Sequence, residues 1–302
     1  MVTTSPEGKV LRSMERKVNG RHFVEARSTS PVDRNTPATK YVLPEALRGR
    51  RAALVVAHPG HELGVHGWME LAHPVVCVLT DGSGHTGQSR LRSTTRLLAK
   101  VCAPLGAIYG RFADVDVYAA ILDKDVRFFL NLAEELAQIL VRDEIQYVVG
   151  DPIEGYNPTH DMCRALINSA VELARRTSKR PIANFDFRIV IQQDRSVDDT
   201  VKGKVSMHLD EVAMNRKLAA VGSYSELSSY ISNMINEFGT EIVQIESLQP
   251  VHPTRTDPGF LGVPFYEEYG EKQVAAGIYS RVIRYREHIL PISTALMAYA
   301  HK

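Results

Sequence analysis

Residues 52–57 (AALVVA) make an unbroken apolar run rich in valine that gives way at once to His58-Pro59-Gly60-His61-Glu62. Such a run has no polar side, so both faces must be covered, the condition of a strand inside a parallel sheet between helices. Residues 75–79 (VVCVL) and 147–149 (YVV) repeat the pattern. Between them, residues 90–101 and 126–141 carry apolar side chains at helical spacing, with Phe129, Leu132, Ala133, Leu136, Ile139 and Leu140 on one stripe. Strands alternating with helices imply an α/β fold, a mostly parallel sheet flanked by helices and joined by right-handed crossovers. Further helices are expected over residues 160–176, 209–221, 224–238 and 274–286, and a further strand over 184–191.

Residues 1–45 mix Ser, Thr, Pro and both charge signs without a period of 2 or 3.6, so they read as an N-terminal arm, flexible or docking. Residues 46–302 then form a single α/β domain with a C-terminal helical and loop extension. Thirty-six basic side chains against 35 acidic ones leave a formal charge of +1, too small a field to gather nucleic acid or an anionic membrane. Cys77, Cys102 and Cys163 all lie in apolar runs and read as reduced core residues, since an odd, sparse set is no disulfide framework. With no apolar stretch approaching the roughly 20 residues of a membrane span and no secretory segment at the start, the expectation is a cytoplasmic protein. Its partner is expected to be a small molecule, with no nucleic acid or membrane, and homo-oligomer formation is compatible with the composition.

In an open α/β sheet, ligands collect beyond the carboxyl ends of the strands, so the residues after each apolar run are the informative ones. Three loops stand out: residues 57–62 (AHPGHE), 80–85 (TDGSGH) and 150–161 (GDPIEGYNPTHD). His58 and His61 lie three residues apart across a strand-to-helix turn, and His160 opens a later helix. Three imidazoles of this kind are a metal-ligand set with a position left for water. Zn, Fe, Ni and Cu all accept neutral imidazole, and a histidine at a helix start also serves as a plain cap or surface group.

The motifs AHPGHE, TDG and NPTHD, in that order, resemble the PIG-L (LmbE-like) family of zinc-dependent N-acetylglucosaminyl deacetylases. Lys217-Leu218-Ala219-Ala220 followed by Tyr224-Ser225-Glu226 is similar to a weaker feature of the same family. The resemblance covers roughly residues 50–230 and implies a Rossmann-like α/β domain. It implies a metal-dependent hydrolase of the deacetylase type acting on an N-acyl amino sugar or another small N-acylated metabolite. The implied cofactor is a divalent metal, zinc first, with Fe or Ni also served. His58 matches the family's first ligand, His61 stands where the family has a ligand Asp, and His160 matches the last ligand.

Two departures bear on the chemistry. Gly60 stands where the family has the Asp that acts as general base, and Asn157 stands where it has a catalytic His. Exchanging a carboxylate ligand for imidazole removes a negative charge, so a bound divalent ion would acidify water more strongly. Gly60, lacking a side chain, is expected to open space beside the metal. Glu154 and Asp151 are the candidate replacement bases, with Glu62 and Asp161 in the same loops but also suited to helix starts, where carboxylates favour the macrodipole. His85 is a candidate donor to an oxyanion or substrate, and Asp81 suits either a turn or a ligand-orienting role. Arg90, Arg92 and Arg96 lie at helical spacing, and residues 259–270 (GFLGVPFYEEYG) combine aromatics with glycines as a pocket wall would. The all-histidine set also suits a lyase or an iron oxygenase, and loss of the acid-base positions also suits a catalytically inactive sugar- or partner-binding relative.

Overall fold

The computed structural model describes residues 41–84, 87–187, 202–251 and 262–302. Residues 1–40 of the expected arm lie outside that set. The first strand, β1 (Ala52–Val56), is buried along its whole length and leads through a 3-10 stretch, His61–Val65, into α1 (His66–Ala72). Then follow β2 (Val75–Thr80), α2 (Leu91–Lys100), β3 (Leu105–Phe112), α3 (Asp114–Leu122), α4 (Val126–Arg142), β4 (Tyr147–Gly150) and α5 (Pro158–Ser178). The second half holds β5 (Ala183–Phe187), β6 (Val205–His208), α6 (Glu211–Ser223), α7 (Ser228–Phe238), a single helical turn at Glu241–Gln244 and β7 (Ile245–Pro250). The chain closes with α8 (Phe265–Ala275), a π-helical turn at Tyr285–Ile289 and α9 (Leu290–Ala300).

The seven strands form one sheet in the order β3-β2-β1-β4-β5-β7-β6. Pairings from β3 through β5 are parallel, and β7 runs antiparallel to both β5 and β6. This is the α/β, mostly parallel sheet flanked by helices that the alternation of runs predicts. Period-2 geometry divides each apolar run between the two faces. Ala53, Val55, Cys77 and Val148 pack on one side with α4, α5 and α9, whereas Leu54, Val56, Val76, Val78 and Val149 pack on the other with Trp68, Leu97 and Leu98. Leu43 and Leu47, just after the start of the described chain, are buried in the second of these layers.

Several expectations change. Between β2 and β4 the chain makes an additional strand and helix, β3 and α3. Residues 274–286 are not a helix: α8 ends at Ala275, Gly277 turns the chain at φ +70°, and helical structure resumes at Tyr285. Cys77 and Cys163 are buried as expected, but Cys102 is exposed in the turn after α2 with φ +54°. The strand expected over residues 184–191 is β5, ending at Phe187; positions 188–191 lie outside the described residues. No helix among the described residues is long and apolar enough to cross a membrane.

The strand order places the switch of chain direction between β1 and β4. From β1 the chain proceeds outward to β2 and β3, and from β4 to β5, leaving a crevice beyond the carboxyl ends of β1 and β4. The loops 57–62 and 151–160 leave those two ends.

Candidate active site

His58 and His61 come from the loop after β1, and His160 from the first turn of α5, whose start is set by Asn157 as N-cap and Pro158 in the first turn. The three rings cluster, with centroids 5.4 Å apart for His58 and His61, 5.1 Å for His58 and His160, and 4.4 Å for His61 and His160. The loop after β1 and the start of α5 thus bring the three rings together.

Each ring has its Nδ1 against an oxygen acceptor from another element. His58 Nδ1 lies 2.8 Å from Thr80 Oγ1 and 2.9 Å from Asp114 Oδ1. His61 Nδ1 lies 3.0 and 3.1 Å from the two oxygens of Asp151, and His160 Nδ1 lies 2.6 Å from Glu154 Oε1. Thr80 donates its own hydroxyl proton to Ala57 O at 3.0 Å, and ionised carboxylates only accept. All three Nδ1 atoms therefore carry the proton, which leaves the lone pair of each neutral ring on Nε2. Among the described residues His58 Nε2 is buried with no hydrogen-bond partner, an orphan that a ligand would satisfy.

Burial lowers His58 to about 4 against the pull of Asp114, and it lowers His61 despite the charge of Asp151. Both rings are neutral at neutral pH, the form that binds a metal. Burial lowers His160 as well, but the hydrogen bond and charge of Glu154 outweigh it and the net shift is upward. Burial alone would raise Asp114 and Asp151; the histidine each one faces holds it below the ordinary carboxylate range. Among the described residues no group of three or more His, Cys, Asp or Glu side chains is set to hold a metal ion as the side chains stand. The cluster offers donor type, tautomer and an unpartnered Nε2.

The remaining expected residues fall as follows. Asp151 also accepts Ala57 N–H at 2.7 Å, so it fastens the end of β1 to the end of β4. Asn157 Oδ1 accepts Thr159 N–H at 2.8 Å and lies 3.4 Å from the Tyr118 hydroxyl. Asp161 Oδ1 accepts the N–H groups of Glu154 and Gly155, and burial raises its carboxyl to about 7. Glu62 is fully buried, accepting Gly60 N–H at 2.6 Å and the Thr94 hydroxyl at 2.7 Å. Asp81 accepts Ser83 N–H, an ordinary turn contact, and Arg90 Nε donates to Gly82 O at 2.8 Å. His85 lies outside the described residues. Tyr156, between Glu154 and Asn157, stacks on Phe265 of α8 at 5.1 Å with 7° between the planes, so this part of residues 259–270 does form a wall beside the loop.

Gly60 does not open space. Its φ is +110°, and a Cβ there would lie 2.3 Å from Leu227 Cδ1 and 3.6 Å from the Tyr224 hydroxyl. Leu227, in the turn before α7, fills the position.

Sequence reasoning missed Asp114 and Arg164, and it named Thr80 and Lys217 only as members of motifs, without their roles. Asp114 belongs to the unread α3, and Thr80 ends β2. Arg164, buried one turn after His160, donates to Asp151 O, to Asn184 Oδ1 at 2.8 Å and to Phe185 O at 3.1 Å, holding the loop after β4 against β5. Lys217 forms a buried ion pair with Glu246 at 2.8 Å and donates to Gly64 O at 3.2 Å, while Glu246 accepts the N–H groups of Gly67 and Trp68. The available signals were an Asp at a helix start after Phe112 and an Arg set among the apolar residues of α5.

No protein-family model matches the sequence, and no curated protein is similar to it. Among solved structures the chain is similar to the zinc-inhibited form of teicoplanin deacetylase Orf2, at 12% identity and a TM-score of 0.45, covering 66% of this chain and 97% of that one. It is similar to A40926 pseudoaglycone deacetylase Dbv21 at 17% identity and a TM-score of 0.44, covering 67% and 97%. These likenesses are too distant to assign a family or an activity.

Proposed function

We propose that the chain is a metal-dependent amide hydrolase of the deacetylase type, acting on an N-acyl amino sugar or another small N-acylated metabolite. One observation carries the reading: His58, His61 and His160 cluster at the crevice between β1 and β4 with every Nδ1 engaged by an acceptor. The donor set fits a divalent ion, zinc first, with iron or nickel served by the same imidazoles. His58, His61 and His160 would hold it through Nε2. When bound, such an ion polarises an amide carbonyl and acidifies water.

The chain's own groups supply the rest. Thr80, Asp151 and Glu154 fix the three rings in orientation and tautomer, with the charge of Asp114 beside His58. Both oxygens of Asp151 are already engaged, so its role is positioning. Glu154 uses Oε1 on His160, and Oε2 takes the proton released as water attacks the amide carbon, then returns it to the departing amine. Asn157 spends Oδ1 on Thr159 and keeps its amide N–H groups for the substrate carbonyl. His85, outside the described residues, is the further candidate donor to substrate.

A second reading has one observation in its favour: Leu227 closes the space beside Gly60, where the resembled family has its base. On that reading the three histidines serve a non-hydrolytic metalloenzyme, a lyase or an iron oxygenase. The test is acetate release from a panel of N-acetylated amino sugars by metal-loaded protein. Release that disappears in Glu154→Gln with metal still bound supports the hydrolase; no release from any substrate at full loading contradicts it.

A further inference from the structure

The sheet carries a second concave feature at the opposite ends of its strands. The helix α5 returns the chain to the amino ends of the strands, where its last turn meets the segment entering β5. There an open cleft of about 560 Å³ is lined by Arg50, Arg175, Lys179 and Arg180, with Pro181 and Ile182 beside them. No carboxylate is among its described lining residues.

The carbonyl end of α5 attracts cations through its dipole, which accounts for part of the cluster. It does not account for how the guanidinium groups are fixed. Arg50 donates to Ala46 O at 3.1 Å and Gln146 O at 3.2 Å, Arg175 Nε to Ile182 O at 2.9 Å, and Arg180 Nη2 to Val141 O at 3.1 Å. Backbone carbonyls orient these groups without neutralising them, and a guanidinium with five N–H donors keeps some for a ligand. Two carboxylates compensate the corner: Glu172, on Arg175, and Glu144, 4.0 Å from Arg180 and shared with Arg51 at 3.0 Å. Among the described residues, no carboxylate pairs with Arg50 or Lys179, and Arg180 has only the 4.0 Å contact to Glu144. Cations held in place beforehand lose little freedom when an anion arrives.

We propose that this cleft is a binding site for an organic diphosphate of the nucleoside-diphosphate type. Arg50, Lys179 and Arg180 hold the two phosphate groups, and the organic part lies against the exposed Pro181 and the half-buried Ala183. The site is separate from the histidine cluster and does not depend on the reaction proposed there.

Calorimetric titration of the full chain, treated with chelator so that the probe cannot be drawn to a metal, tests the assignment. Inorganic pyrophosphate and ADP are expected to saturate one site per chain at low salt, with inorganic phosphate about tenfold weaker or more, a difference of about 1.4 kcal/mol. Lys179→Asn tolerates the left-handed backbone of Lys179, removes no side-chain contact to a described residue, and is expected to weaken pyrophosphate about fivefold or more. Arg180→Gln is expected to do the same, and His58→Ala to leave binding unchanged. Saturation absent below millimolar pyrophosphate, affinity unchanged in Lys179→Asn, or binding lost in His58→Ala would each overturn the proposal.

Discussion

His61 Nδ1 sits between the two oxygens of Asp151, at 3.0 and 3.1 Å, while the same carboxylate receives Ala57 N–H at 2.7 Å. One buried side chain thus sets the tautomer of a ring in the loop after β1 and fastens that loop to β4. Asp151→Asn keeps the shape but replaces one acceptor by a donor. Metal affinity is expected to fall by about 10–100-fold, the usual effect of losing a ligand's outer partner. Competitive titration against a chromogenic chelator measures it, and an unchanged affinity would remove Asp151 from the site.

Gly60→Asp places a side chain at φ +110° with its Cβ 2.3 Å from Leu227 Cδ1. The strained backbone and the overlap together are expected to destabilise the fold by about 2–5 kcal/mol in denaturant unfolding. Adding Leu227→Ala relieves the overlap and leaves the backbone strain, so the double variant is expected to recover only part of the loss. Placing an acidic residue at this position therefore requires more than the single exchange.

Lys217 and Glu246 form a buried pair that braces the loop of His61 and the start of α1. Lys217→Met leaves Glu246 as an uncompensated buried charge and is expected to cost about 3–5 kcal/mol. Adding Glu246→Gln removes that charge while still accepting one backbone N–H, and is expected to regain part of the stability. Urea midpoints of the two variants decide it; a double variant no better than the single would mean the pair's charge is not what matters.

His66 is buried at the start of α1, and burial lowers its pKa below the unfolded value of about 6.5. Between those two values the unfolded chain binds the proton and the folded chain does not. The resulting contribution is present above about pH 6.5 and is lost as pH falls below it. His66→Asn is expected to have a shallower decline of thermal midpoint than the wild type between pH 7.5 and 5. Parallel declines would show that His66 does not titrate differently on folding.

The fold was legible where burial on both faces leaves a continuous apolar run, as in β1 and β2. It was illegible in β3 (LGAIYGRF), an edge strand with one neighbour, two glycines and Leu105 about half exposed. Asp114 follows that strand directly, so the partner of His58 was lost with it. His58, His61 and His160 were legible because short spacing and strand ends mark them. Glu154 and Asp151 were found as charges in the right loops, but their orientation toward Nδ1 depends on tertiary pairing that spacing does not encode. Leu227 beside Gly60 is a contact across 167 positions of sequence, beyond any local pattern.

The central claim is that the three rings are metal ligands, and elemental analysis of protein purified without added metal tests it most directly. The account predicts about one divalent ion per chain in the wild type and in His61→Asp, which keeps three ligands, and a large loss in His61→Ala. Equal metal content in the wild type and His61→Ala, or a wild type that neither carries nor takes up a divalent ion, would contradict it.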